Sequence, residues 1–166
     1  MKIEVMCSDP AHNANRHLQR WAEQIAGSHS VKLLHSSVDL SGGDFLFLVS
    51  ATEIVGGEHL RKFRYALVVH ESAVPEGRGW SPLAWQVLEG KADIPITMFQ
   101  AEEKVDSGAI WDQRVLHLKG DELYDEIVEK AIAIKTEMMD FAILNHDRIS
   151  PRPQPSLKPS YYRRRT

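Results

Sequence analysis

Apolar and polar positions recur with two different periods along this chain, and those periods mark its elements. Lys2 to Cys7, Val31 to Leu34, Phe45 to Val49 and Ala66 to Val69 read as strands, the last two apolar throughout. Phe45 to Val49 is apolar without interruption, as expected of a strand covered on both faces. Between the first two runs, Leu18, Trp21, Ala22 and Ile25 follow helical spacing. Asp9 reads as the N-cap of that helix, Pro10 as its first residue and Gly27 as its stop. A short helix is expected over 58–63, and another over 82–89 with Ser81 as cap and Gly90 as stop.

Ile94 to Phe99 and Ala109 to Leu116 read as two further strands. Asp121 is the expected cap of a long helix reaching about Leu144, with Leu123, Ile127, Ala131, Ile134, Met138 and Phe141 on one face. Strands and helices alternate through the first half of the chain. That order predicts an α/β fold, a Rossmann-like, doubly wound, mostly parallel sheet with helices on both faces. Ligands in such sheets bind beyond the carboxyl ends of the strands, and His70 ends the Ala66 to Val69 run. Residues 1–146 are expected to form one domain. Residues 147–166, with Pro151, Pro153, Pro155 and Pro159, are expected to be a surface arm or linker.

Composition narrows the class. The chain has 166 residues, 43% hydrophobic and 26% charged, which suits one soluble globular domain. Its net charge of -3 hides an asymmetry. From Asp147 onward there are six basic residues and one acid, so the body is distinctly acidic. An acidic body argues against a nucleic-acid surface. Cys7 is the single cysteine, which excludes an intrachain disulfide. The histidines lack metal-ligand spacing, so no metal is expected. There is no charged-then-apolar leader and no membrane-length apolar run, so a cytoplasmic protein without a membrane partner is expected.

Special residues concentrate in His70-Glu71-Ser72-Ala73-Val74-Pro75-Glu76-Gly77-Arg78-Gly79-Trp80-Ser81-Pro82. Further on comes Val105-Asp106-Ser107-Gly108. A histidine and a distant carboxylate, both near strand ends, suit proton transfer in a cleft. Gly77 and Gly79 permit close ligand approach, and the Arg78 fork suits a phosphate or carboxylate. Arg78 reads equally well as an internal brace. An isolated Asp-Ser-Gly is a common turn, and a lone strand-end histidine is commonly structural.

Together the two segments resemble the formyltransferases that use N10-formyltetrahydrofolate. That family's loop reads roughly His-x-Ser-x-x-Pro-x-x-Arg-Gly-x-x-Pro, with a later Asp-x-Gly. The resemblance implies catalytic roles for His70 and Asp106. It implies a folate pocket with Ile54 and Val55 on one wall and Ala101, Glu102, Lys104 and Val105 on the other. Ser72, Arg78, Gly79 and Trp80 become candidate substrate contacts. The run Val-Val-His-Glu-Ser, the following Gly-Arg-Gly-Trp-Ser-Pro, and Pro155 to Thr166 are closest to the sugar-modifying branch. The implied reaction is formyl transfer to the primary amine of a small molecule, an activated amino sugar first, with a homodimer as a further expectation.

One position departs from the pattern. The family's Asn, two residues before the histidine, is Val68 here. Another side chain or a backbone N–H replaces it, the branch works without it, or the protein is impaired. The second reading fits the sugar branch, while Asn13 and Asn15 are weaker substitutes. A family member that binds folate or a nucleotide sugar without turnover is the non-enzymatic alternative. Methionyl-tRNA and glycinamide ribonucleotide formyltransferases are further alternatives. The acidic body counts against the first, and Cys7-Ser8-Asp9-Pro10 in place of a Gly-Ser-rich phosphate loop counts against the second.

Overall fold

The computed structural model describes residues 1–164; Arg165 and Thr166, the end of the expected arm, lie outside the described residues. Six strands form the main sheet: β1 (Lys2–Met6), β2 (Ser30–Leu34), β3 (Gly43–Val49), β4 (Phe63–His70), β6 (Asp93–Gln100) and β7 (Ile110–His117). Their order is β2-β1-β3-β4-β6-β7. The first four run parallel, and β6 and β7 continue the sheet antiparallel. Two-residue strands β5 (Arg78–Gly79) and β8 (Tyr161–Tyr162) pair separately. The helices are α1 (Ala14–Ile25), α2 (Gly57–Leu60), α3 (Pro82–Leu88) and α4 (Tyr124–Asn145).

The expected doubly wound, mostly parallel sheet is the fold observed. Each face of the sheet supports its own core. On one face, Phe45, Phe47, Leu67 and Ile96 pack with Leu18 and Trp21 of α1 and with Met138 and Met139 of α4. On the other, Met6, Leu46 and Leu48 pack with Leu60 and Val55 beside α2. The uninterrupted apolar run of β3 therefore serves both faces. Among the described residues no helix is long and apolar enough to cross a membrane.

Two helix starts differ from expectation, and at a third, placed as expected, the cap makes no side-chain bond. α1 begins at Ala14 with Asn13 at the cap position, not at Pro10. Asp9 instead accepts the Ala11 N–H in a side-chain-stabilised turn (2.9 Å), which consumes the residues expected to start the helix. α4 begins after Leu123, whose N–H is accepted by Glu126 at 2.7 Å, so Asp121 is not the cap. Ser81 precedes α3 in the left-handed region, φ 48°, and makes no side-chain cap bond. The buried stripe of α4 also runs differently. Ile127, Ala131 and Met138 are buried as expected, Val128, Ile132, Lys135, Met139 and Ile143 widen the buried face, and Leu123 and Phe141 are exposed. Phe141 lies instead under the Arg114 guanidinium, 5.9 Å from its ring centre.

Candidate active site

At the carboxyl ends of β3 and β4 a cavity of about 940 Å³ opens between the sheet, α3 and α4. That volume lies at the upper end of small-molecule sites. His70, the last residue of β4, is on its wall and nearly buried. Its Nε2 is 3.0 Å from the Gly77 carbonyl and 3.9 Å from Asp106 Oδ2. The nearer contact assigns the neutral ring its tautomer: Nε2–H donates to Gly77, which leaves the Nδ1 lone pair free. Asp106 stands off as a charge partner, suited to stabilising an imidazolium once one forms. The carbonyl of its own loop thus orients His70 more directly than the carboxylate does.

Asp106 is held unusually. It adopts φ +52°, a left-handed conformation uncommon outside glycine, and its Oδ2 accepts the Gly79 N–H at 2.9 Å. Gly79 lies at φ +94°, and a Cβ there would stand 2.6 Å from the Tyr162 carbonyl oxygen. The residue is therefore glycine for both conformation and space. At Gly108 a Cβ would come within 1.9 Å of the Gln100 carbonyl, which explains the glycine after the Asp-Ser pair.

The structure brings many of the candidate residues to one place. Ile54, Val55, Ala101, Glu102, Val105, Gly79 and Trp80 line the same cavity as His70 and Asp106. Three expected ligand contacts do not. Lys104 is exposed on its loop and is not part of the cavity lining. Ser72 is buried beneath the glycine loop, where its carbonyl accepts the Thr97 hydroxyl at 2.6 Å. Arg78 is buried and turned toward the C-terminal arm, its Nη2 donating to Gln154 Oε1 at 2.6 Å. It is a brace, though its partner is an amide and not the acid that such a reading suggests. Asn13 bonds Asp125 and Asn15 bonds the Asp9 and Pro10 carbonyls, so neither reaches the cavity. Val68 does line it, on the same side of β4 as His70. The place of the absent amide is thus an apolar wall.

Sequence reasoning missed a charged cluster on the α4 side. Lys135 is almost fully buried, and its ammonium pairs with Glu71, which keeps 14% of its side chain exposed. Both line the cavity, with His12 nearby. Burial works to raise the Glu71 carboxyl, but the Lys135 charge and hydrogen bond outweigh it and hold the group below the usual carboxylate range. Burial, reinforced by Lys135, pushes His12 down, which favours its neutral imidazole. Burial lifts the Cys7 thiol to about 11, which removes it as a nucleophile at neutral pH. The signal for Lys135 was present: it stands four residues after Ala131 and four before Met139, on the buried stripe. Among the described residues no cluster suits a metal ion.

A Rossmann-like domain with a histidine and a carboxylate meeting at its strand ends defines the class, and comparison with known proteins defines the family. Residues 8–140 match the family model described as formyl transferase, and the chain belongs to that family. A methionyl-tRNA formyltransferase from Anaeromyxobacter dehalogenans is 33% identical over 78 residues, 47% of this chain and 25% of that protein. The chain thus spans about a quarter of the curated relative's length in this match. The methionyl-tRNA formyltransferase structure from Clostridium thermocellum superposes with TM-score 0.82 at 21% identity, covering all of this chain and 73% of that one. WlaRD, a sugar 3N-formyl transferase solved with dTDP and 5-N-formyl-THF, superposes with TM-score 0.73 at 14% identity, covering 99% of this chain and 70% of that one.

Proposed function

We propose that this protein transfers a formyl group from N10-formyltetrahydrofolate to the primary amine of a small molecule, an activated amino sugar first. The observation that carries the reading is the convergence of His70 and Asp106 on a cavity of ligand size, within the segment that matches the family. The apolar surfaces of Val55, Leu48, Val68 and Phe99 suit a flat pterin ring, so the residues present fit the folate donor. That donor supplies the formyl carbon. The amine nitrogen bonds to it as the bond to N10 breaks; the nitrogen sheds one proton and N10 gains one. The Nδ1 lone pair of His70 is the group able to carry that proton, and Asp106 steadies the charge. Val68 supplies no hydrogen bond to a developing oxyanion, so a backbone N–H or the acceptor itself fills that role. His70 and Asp106 are the catalytic pair in this reading, with Gly79 and Trp80 on the substrate path.

Sugar acceptors are favoured by the acidic body. Methionyl-tRNA is the second reading, and the names of the curated relatives favour it. The deciding experiment offers N10-formyltetrahydrofolate with nucleotide-linked amino sugars and, separately, with aminoacylated initiator tRNA. Formylated amino sugar, detected by mass spectrometry, is the expected product. Formylation of the tRNA alone would replace the sugar reading with the second one. Donor binding with no product from any amine would leave a folate-binding member without turnover.

A further inference from the structure

We infer that Gln154, in the C-terminal arm, is a positioning residue that fixes Asp106 against the His70 loop, which makes the arm a working part of the site. The inference rests on the proposed roles of His70 and Asp106. Its basis is one side chain whose amide nitrogen and oxygen are both engaged between the two site loops. Gln154 Nε2 donates to the Asp106 carbonyl at 2.9 Å and to the Gly108 carbonyl at 3.0 Å. Its Oε1 accepts from Arg78 Nη2 at 2.6 Å. Arg78 is the residue between Gly77, which orients His70, and Gly79, which holds the Asp106 carboxylate. The amide therefore joins the two ends of the site through its two different atoms.

Two further observations show why such a tie is needed. Asp106 sits at φ +52° on an otherwise exposed loop, and a non-glycine residue stays in that region only where its surroundings hold it there. The two carbonyls that Gln154 engages are that of Asp106 itself and that of Gly108, two residues on. The approach of Gln154 is itself fixed. Ile110 and Arg152 exchange both backbone hydrogen bonds, at 2.7 and 2.9 Å, which sets the arm's register two residues before Gln154. Beyond it, the Ser160 hydroxyl accepts the Gly77 N–H at 2.8 Å, the Ser160 carbonyl accepts the Arg78 N–H at 3.0 Å, and Tyr161 lines the cavity. The arm is thus bound on both sides of Gln154, the side chain that bonds to Asp106.

The test needs no acceptor. Gln154→Glu keeps an oxygen for Arg78 but sets a carboxylate against the Asp106 and Gly108 carbonyls, which breaks one tie and spares the other. The imidazole resonances of His70 are followed by NMR in the full chain, with Asp106→Asn as reference. Gln154→Glu is expected to move them in the direction that Asp106→Asn does, with the melting transition still cooperative. Tyr162→Phe, which alters the same arm only at its exposed Glu89 contact, is expected to leave them in place. Unmoved His70 resonances in a folded Gln154→Glu protein would overturn the assignment, as would an equal shift in Tyr162→Phe. Gln154→Ala, which adds no charge, is read the same way if the Glu variant fails to fold. With an acceptor in hand, Gln154→Ala should lower kcat by about 10- to 100-fold with the donor KM unchanged, as expected for a misplaced catalytic group. Absence of turnover in the wild-type chain would bear on the proposed function and leave the resonance test intact.

Discussion

The two walls of the cavity solve different problems. The wall beside α2 is built from Leu48, Val55, Leu60, Val68 and Phe99, and its charges, Glu53 and Glu102, stay at the rim. The wall beside α4 also carries apolar residues, Ile127, Val128, Ala131 and Ile132, but it buries an ion pair, Lys135 with Glu71. A well-packed apolar pair in that place would commonly be as stable or more so. The contrast is one of chemistry: the first wall offers an apolar surface, while the second keeps an ionised carboxylate beside His70, and on the proposed function these would receive the pterin ring and the amine-bearing acceptor respectively.

His70 lies where the walls meet, and its removal has the largest expected effect. His70→Ala should reduce turnover by about 10²- to 10⁴-fold, the usual yield of a positioned proton carrier. Binding of the folate donor, measured by calorimetry, should persist because the α2-side wall is untouched. Loss of donor binding with loss of turnover would mean that the walls are not separable.

The α4-side wall can be broken alone. Lys135→Met leaves Glu71 buried without its partner and should cost about 3–5 kcal/mol in urea unfolding at pH 7. Adding Glu71→Gln removes the stranded charge and should recover most of that loss. The pH dependence gives a second reading of the same pair. Folded Glu71 titrates below its ordinary value, so the pair's contribution is present above about pH 4.5 and is lost as pH falls through the folded pKa. In Lys135→Met burial, the largest influence on Glu71, is opposed only by His70 and a backbone hydrogen bond, so the carboxyl rises from its wild-type position. Protonation then relieves the stranded charge, so the variant's deficit should narrow toward acid. A deficit independent of pH would show that Lys135 contributes by packing alone.

The difference between the walls also explains what the sequence could and could not show. Strand runs, the Gly90 stop and the strand-end place of His70 depend on local periodicity and turn chemistry, and these were legible. The start of α1 was not, because Asp9 bonds Ala11 in a turn that uses the same residues a cap would use. Lys135 was legible as a lysine on an apolar stripe, but its partner Glu71 comes from β4's end, and only tertiary packing brings the two together. Gln154 was not legible at all. Nothing in a Pro-rich tail indicates that one amide will find two carbonyls and a guanidinium in loops distant in sequence.

The finest test concerns the rim of the α2-side wall. Ile54 is 72% exposed yet lines the cavity beside Val55, which is buried. An exposed side chain contributes little to folding, so Ile54→Ser should leave the unfolding free energy within about 0.5 kcal/mol of wild type in urea unfolding. If this wall receives the pterin ring, the substitution removes apolar contact only in the complex. The donor KM should then rise by a few-fold, corresponding to about 1 kcal/mol or less of lost burial, with kcat and the acceptor KM unchanged. A rise in the acceptor KM instead would exchange the roles of the two walls. The folate would then belong beside α4, and the buried Glu71–Lys135 pair would face the donor and not the amine.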